Sequence, residues 1–343
     1  MIGVYVHNSG RGHLYRVLPV VAALRECGED VTLLFSGSFD EALRPPGTRV
    51  VHLPFDDRVL ASSRSPGPDP DEISLPVRRS VVSWLDRMRP RAFWVDSSPA
   101  MALAAGMTGT PMISTLPPGV RRDEPHRLSC GISDRLIGAW PPGVHEETVA
   151  VTDHRVSEVG GISRFERRDL SRRRRRRPRV VHLNGAGDRG DHRFWRAVRR
   201  ATESRRVAEW LDLGGLDGAW NDDPWEALTS ADVVVTGAGQ SSVADAACAD
   251  VPIVVVPERR EHGEHDATAE ALAATPGAAV MSYGAGPTAV AGVVRDQVER
   301  SREEGATGIR QWWGIDGAAA RAAEVIRTTT TTTSSPGGLR YPS

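Results

Sequence analysis

The sequence predicts an α/β protein of two doubly wound parallel sheets, one in each half of the chain. Three observations carry this. Short apolar runs alternate with segments of helical spacing, the pattern of βαβ units. The alternation stops at an arginine-rich stretch and then restarts. In each half a glycine-rich turn follows the first strand-like run, at Ser9–Gly12 and at Asn184–Asp191. A length of 343 residues, at roughly 100–200 residues per domain, also suits two domains.

The first half opens with a strand at Ile2–His7. Leu14, Val17, Leu18, Val21 and Leu24 then repeat at helical spacing through Leu14–Cys27, and Gly28 ends the run. Strands follow at Asp30–Phe35 and Val50–Leu53. Ser62–Asp71, rich in Ser, Pro and Asp, reads as a surface loop. Ser80–Met88 reads as a helix, Ala92–Val95 as a strand closed by Asp96, Pro99–Met107 as a small-residue helix and Pro111–Ser114 as a strand. Leu116–Val144 is rich in Pro and Gly, and no periodic element is read there. Arg167–Arg179 is almost solid charge, and the unbroken run Arg172–Arg177 repels itself too strongly for a packed element.

The second half resumes with a strand at Arg179–Leu183, the turn Asn184–Asp191 and a helix at Phe194–Ser204. A strand at Asp232–Val235 leads through Thr236-Gly237-Ala238-Gly239 into a helix at Gln240–Ala249. Val251–Val256 is a strand set between Pro252 and Pro257, and Asp266–Ala273 and Gly317–Ile326 are helices. The expected division is a first domain at 1–165, an Arg-rich linker at 166–179, a second domain at 180–327 and a disordered tail at 328–343.

Composition removes several function classes. Forty-three basic against 44 acidic residues leave a formal net charge of −1, too little for a wholesale nucleic-acid binder. No apolar run approaches the roughly 20 residues that cross a bilayer, and Met1–Val6 lacks the layout of a signal peptide. Cys27, Cys130 and Cys248 are few, odd in number and far apart, which fits buried thiols in a reducing cytoplasm and neither a disulfide framework nor a zinc pattern. Every basic residue counted with lysine is an arginine. That excludes a Schiff base, a pyridoxal phosphate anchor and the P-loop lysine. Phosphate must therefore be held by Arg, His, backbone N–H groups or helix N-termini. The arginine run also offers a peripheral contact to anionic headgroups at the inner membrane face.

Four turns carry candidate chemistry. In Gly10-Arg11-Gly12-His13 the glycines permit a tight turn at the carboxyl edge of the sheet. His13 there suits general-base work, or simply caps a helix. Tyr15 stands where a dinucleotide fingerprint needs its third glycine. Gly237, Gly239, Gln240, Ser241 and Ser242 open a helix after a strand, where N–H groups and the macrodipole favour phosphate. Asp245 follows one turn later and suits ribose hydroxyls, or is a plain surface carboxylate. The polar loop Pro257–Asp266, with Glu261 and His262, suits a sugar, and its spacing fits no common zinc pattern. Gly185 and Gly187 form a fourth phosphate- or substrate-facing turn.

Together these residues resemble the inverting GT-B glycosyltransferases, in particular the antibiotic and plant small-molecule enzymes and the peptidoglycan N-acetylglucosaminyltransferase. The resemblance spans about residues 1–325 and is most specific from Asp232 to Leu272. It implies two Rossmann-like domains facing across a cleft. It places Asp245 on the donor ribose, where Glu is more usual, and Glu261-His262 at the acidic-plus-Gln pair that contacts the donor sugar. Thr236 or Gly237 stands where the small-molecule group often has a histidine near the pyrophosphate. His13 becomes the base, oriented by Asp96, with Asp123 the other candidate. The implied reaction moves a sugar from a UDP- or dTDP-sugar to a small-molecule or lipid-linked acceptor, with inversion and without metal or cofactor. A sugar-nucleotide epimerase and a non-catalytic partner protein on the same fold are the alternatives.

Overall fold

A computed structural model describes residues 1–7, 11–37, 39–54, 74–150, 155–184, 191–204, 208–213, 216 and 221–329. The expected loop at Ser62–Asp71, the turn glycines Gly10, Gly185 and Gly187 and most of the tail lie outside the described residues.

The first half lays down β1 (Ile2–Val6), α1 (Arg11–Glu26), β2 (Val31–Phe35), β3 (Arg49–His52), α2 (Leu75–Met88), β4 (Ala92–Val95), α3 (Pro99–Gly106), β5 (Met112–Leu116), α4 (Glu124–Ile132), β6 (Arg135–Gly138), α5 (Glu146–Ala150) and β7 (Val156–Glu158). The strands form one parallel sheet in the order β3-β2-β1-β4-β5-β6-β7. β1, β2 and β4 are apolar throughout or nearly so and buried at every residue, as strands covered on both faces must be. Helix α2 presents Val77, Val81, Trp84 and Leu85 to one face. The Trp84 ring lies so close to β1 that a Cβ on Gly3 would meet it at 2.7 Å, so only glycine fits there.

The second half gives β8 (Arg179–Leu183), α6 (His192–Ser204), β9 (Glu209–Leu213), α7 (Trp225–Thr229), β10 (Val233–Thr236), α8 (Gln240–Cys248), β11 (Ile253–Val255), α9 (Glu264–Ala273), β12 (Ala278–Val280), α10 (Gly286–Glu304), α11 (Ile309–Trp312) and α12 (Ala318–Thr328). Its parallel sheet runs β12-β11-β10-β8-β9. Phe194, Trp195 and Val198 of α6 pack with Val290, Val294 and Val298 of α10 over one face.

Each sheet reverses its strand order once, between β1 and β4 in the first and between β8 and β10 in the second. Open α/β sheets bind ligands at such switch points, beyond the carboxyl ends of the strands.

Helix α12 does not stay with the half that precedes it. Ala318, Ala319, Ala322, Ala323 and Ile326 are buried in the first core, against α1. The expected second domain at 180–327 takes in this helix, whose stripe of small apolar residues packs on α1. Residues 171–175, which take in the start of the arginine run, have no regular structure. Arg172 donates to the carbonyls of Ala231 and Asp250, Arg174 to those of Ser301 and Arg302, so the run lies along the second domain. Leu116–Val144, read as element-free, holds α4 and β6. The signal was present: Asp123 caps α4 by accepting from the His126 N–H at 3.1 Å, and Pro125 sits in the first turn.

Candidate active site

The switch point of the first sheet holds a charged network. His13 sits in the first turn of α1, and Asp96 follows β4. His13 Nδ1 lies 2.7 Å from Asp96 Oδ2. The Asp96 side chain is fully buried. Burial works to raise its carboxyl, but the Arg16 charge and the bonds from His13 and Arg16 overcome that and hold it well below the usual carboxylate range. An ionised Asp96 accepts from Nδ1–H, which leaves Nε2 as the basic atom of the ring. Asp123, the other candidate orienter, instead pairs with His126 at 2.6 Å.

Arg16, one helical turn from His13, was not singled out in the sequence, although His-x-x-Arg places both on one helix face. It donates to Asp96 Oδ1 from Nε at 3.1 Å and from Nη2 at 2.8 Å, and to Ser97 Oγ at 3.0 Å. Ser97 holds a left-handed φ of 52°, which costs a non-glycine residue about 1–3 kcal/mol. His7, at the end of β1, meets the His13 ring edge-on with centroids 5.2 Å apart. Burial pushes the His7 imidazole down to about 3.

The switch point of the second sheet is a cradle of backbone. Gly237-Ala238-Gly239 turns from β10 into α8, and the left-handed residue is Ala238 (φ 74°), not either glycine. Gly237 is required by crowding, since a Cβ would stand 2.8 Å from the Glu258 carboxylate carbon. Gly239 caps α8, and a Cβ there would have no neighbour closer than 3.9 Å. Ser241 and Ser242 occupy the first turn of α8. A buried relay braces the turn from below. Asp212 and His182 pair at 2.6 Å, Asn184 Nδ2 lies 3.1 Å from His182 Nε2, and Asn184 Oδ1 accepts from the Gly237 N–H at 3.1 Å. His265 stands beside Gly239, and burial lowers its imidazole to about 4. It lies in the polar loop marked in the sequence, yet only the fold shows it against the Gly237–Gly239 turn.

The two switch points face each other. Ser241 Oγ donates to the Gly12 carbonyl at 3.0 Å, and a Cβ on Gly12 would meet that Oγ at 3.2 Å. Arg16 Nη1 donates to Gln240 Oε1 at 2.9 Å, so one guanidinium spans from Asp96 to α8. Arg11 pairs with Asp222, which also accepts from Tyr15 Oη at 2.9 Å. Asp245 is buried and accepts from Ser163 Oγ at 2.7 Å and Arg164 Nε at 3.2 Å, while Arg164 lies 3.6 Å over the Tyr15 ring. Burial raises the Asp245 carboxyl against the pull of Arg164.

Glu261 falls in the short turn Glu261–Gly263, its side chain outside the described residues, and His262 in that turn packs against His126 of the first domain. A small pocket between α3, β5 and α4 is lined by Ser97, Ser98, Leu116, Pro117, His126 and Cys130. Among the described residues no helix is long and apolar enough to cross a membrane.

No protein-family model matches the sequence, and neither does any curated protein. Solved structures do. The spinosyn forosaminyltransferase SpnP superposes with a TM-score of 0.70 at 14% identity, covering 95% of this chain and 98% of that one. Phytolacca americana UGT2, solved with UDP-2-fluoro-glucose and pterostilbene, gives 0.64 at 13% identity over 94% and 98% of the two chains. Acinetobacter baumannii MurG gives 0.62 at 16% identity over 95% and 98%. At these identities the likeness is one of architecture: the chain has the GT-B fold of the glycosyltransferases, two Rossmann-like domains facing across a cleft.

Proposed function

We propose that the chain is an inverting glycosyltransferase that moves a sugar from a nucleoside-diphosphate sugar to an acceptor nucleophile, with His13 as general base. The observation that carries this is the His13–Asp96 pair at 2.7 Å, set at one switch point and facing the α8 N-terminus at the other. The acceptor hydroxyl gives its proton to His13 Nε2 as its oxygen bonds the anomeric carbon. The bond from that carbon to the diphosphate breaks, and the electron pair leaves with the diphosphate. Asp96 keeps the ring in the right tautomer and balances the imidazolium. N–H groups and hydroxyls from Gly239 to Ser242, with the α8 dipole, receive the growing charge, so the reading includes no metal step.

The donor is read as a UDP- or dTDP-sugar, in keeping with the UDP-2-fluoro-glucose bound in the plant neighbour. Glu261 and His262 border the sugar, and Asp245 serves the ribose once its bonds to Ser163 and Arg164 are exchanged. Gly185 and Gly187 would border the diphosphate from the turn after β8. The wall at Ser97 and His126 is read as bordering the acceptor, a small molecule or the head of a lipid-linked one. The arginine run makes any membrane contact peripheral, and no specific nucleic acid is implied.

Melting the chain with UDP, dTDP, GDP and their sugars tests the reading. One nucleotide is expected to raise Tm by mass action. Its sugar should release free nucleoside diphosphate only when an acceptor is present. No stabilisation by any of them overturns the reading, and an epimerised sugar formed without acceptor replaces it with the epimerase.

A further inference from the structure

We propose that Asp123, His126 and His262 form a binding site for a late first-row divalent cation of the zinc class, which fastens the two domains to each other. Asp123 and His126 belong to the start of α4 in the first domain, and His262 comes from the loop before α9 in the second. One ligand atom from each lies within 4.8 Å of the others. Zinc held at about 2.0–2.1 Å by a tetrahedral set keeps neighbouring ligand atoms roughly 3.3 Å apart, so modest side-chain rotation closes the group.

The carboxylate is divided between two tasks. Asp123 Oδ1 caps α4 and accepts from His126 Nδ1 at 2.6 Å. Asp123 Oδ2 is buried and has no hydrogen-bond partner, and His262 Nδ1 stands 3.7 Å from it. That oxygen is covered although the Asp123 side chain is 37% exposed, and a cation or donor that meets it supplies the bond it lacks. The two imidazoles approach it from opposite domains with ring centroids 4.8 Å apart. Imidazole with one carboxylate is a ligand set that suits zinc, nickel or copper better than calcium or magnesium.

The backbone is shaped to bring His262 there. His262 holds a left-handed φ of 59°. A Cβ on Gly119 would stand 2.5 Å from the His262 carbonyl oxygen, so glycine admits the loop against the first domain. The nearby cation Arg121 is already engaged, donating to the Pro118 carbonyl at 2.6 Å and pairing with Glu264 at 3.4 Å. The cation would draw His262 toward Asp123, so metal occupancy and contact of that ring with a donor sugar exclude each other.

The test is calorimetric titration of ZnCl2 into the full chain, stripped beforehand with a chelator, together with the absorption spectrum of the Co2+ form. The expected result is one equivalent bound with micromolar affinity or tighter, and d–d bands without a thiolate charge-transfer band. Loss of an outer-shell partner alone costs about 10–100-fold in affinity, so Asp123→Asn and His262→Ala should each cost at least as much. Asp123→Asn keeps an oxygen to cap α4, so its melt should match the wild type without metal. Binding that survives both substitutions, a thiolate band marking a cysteine ligand, an ion pair that forms with no metal uptake, or no heat at all overturns the site. The titration needs no activity, so its outcome is independent of the glycosyl-transfer reading.

Discussion

The two switch points occupy the same place in two sheets of the same kind, yet they are built from different materials. The first is made of side chains: His13, Asp96, Arg16 and Ser97 bond one another through ionisable groups. The second is made of backbone: Gly237, Ala238 and Gly239 turn into α8, and the buried Asp212–His182–Asn184 relay meets the turn at a main-chain N–H. The contrast follows the chemistry each wall is read to perform. Proton transfer needs one ring atom held in one tautomer, which only neighbouring charges can fix. A diphosphate needs several fixed donors without a titratable group among them, and a helix start supplies these.

The largest expected effect separates the walls outright. His13→Ala should lower kcat by about 10²–10⁴-fold, the usual contribution of a general base, and leave nucleotide affinity unchanged. Turnover assays and calorimetry check both halves. Full activity in that variant, or an equal loss in nucleotide binding, would collapse the division of labour.

Arg16→Met addresses the cost of the charged wall. Asp96 is fully buried, and the Arg16 charge comes first among the contacts that offset its burial, ahead of His13. Removing one partner of a buried pair typically costs about 3–5 kcal/mol. Denaturant unfolding should show a loss of that order, partly restored by adding Asp96→Asn. A loss below about 1 kcal/mol, the surface ion-pair scale, would mean that water already balances Asp96.

How much of this was legible follows the same contrast. The backbone wall was nearly complete in the sequence, because Gly-rich turns between an apolar run and a helix are local patterns. His13 was legible for the same reason. Asp96 was named through a resemblance, with Asp123 as the other candidate, since the 2.7 Å contact joins elements 83 residues apart. Arg16 was missed although its spacing from His13 was in view, because nothing local says that a buried anion needs it. The sequence reading also leaves out α10, although Val290, Val294 and Val298 repeat at helical spacing. The Asp123–His126–His262 group could not be read at all: its members meet only when two domains face each other.

A smaller effect tests the backbone wall. In Gly237→Ala the new Cβ meets the Glu258 carboxylate carbon at 2.8 Å, and Glu258 is held by Arg260 at 2.8 Å. Either the turn or the Glu258 side chain held by Arg260 must shift, and nucleotide affinity should fall about tenfold, or about 1.4 kcal/mol. Turnover at saturating donor should change less than affinity. The reverse split, kcat down with Kd unchanged, would move proton chemistry to the wrong wall.

Acid offers the gentlest probe, because it reaches both walls through buried histidines. His7 lies behind His13, and His265 lies against the Gly239 turn. Burial lowers His7 to about 3 and His265 to about 4, from an ordinary 6.5. Both are therefore neutral in the fold and protonated in the unfolded chain below about pH 6.5. The unfolded state then binds the extra proton, so stability is whole above pH 6.5 and is lost as pH falls toward the folded values. Each histidine contributes a slope of at most about 1.4 kcal/mol per pH unit in that window. Urea unfolding between pH 7 and pH 5 should show the decline, and His265→Gln should flatten it while His13-dependent turnover at pH 7 falls less than nucleotide affinity. An unchanged slope in that variant would mean that His265 is solvated, and the second wall would then lose the dry surface against which its backbone donors act.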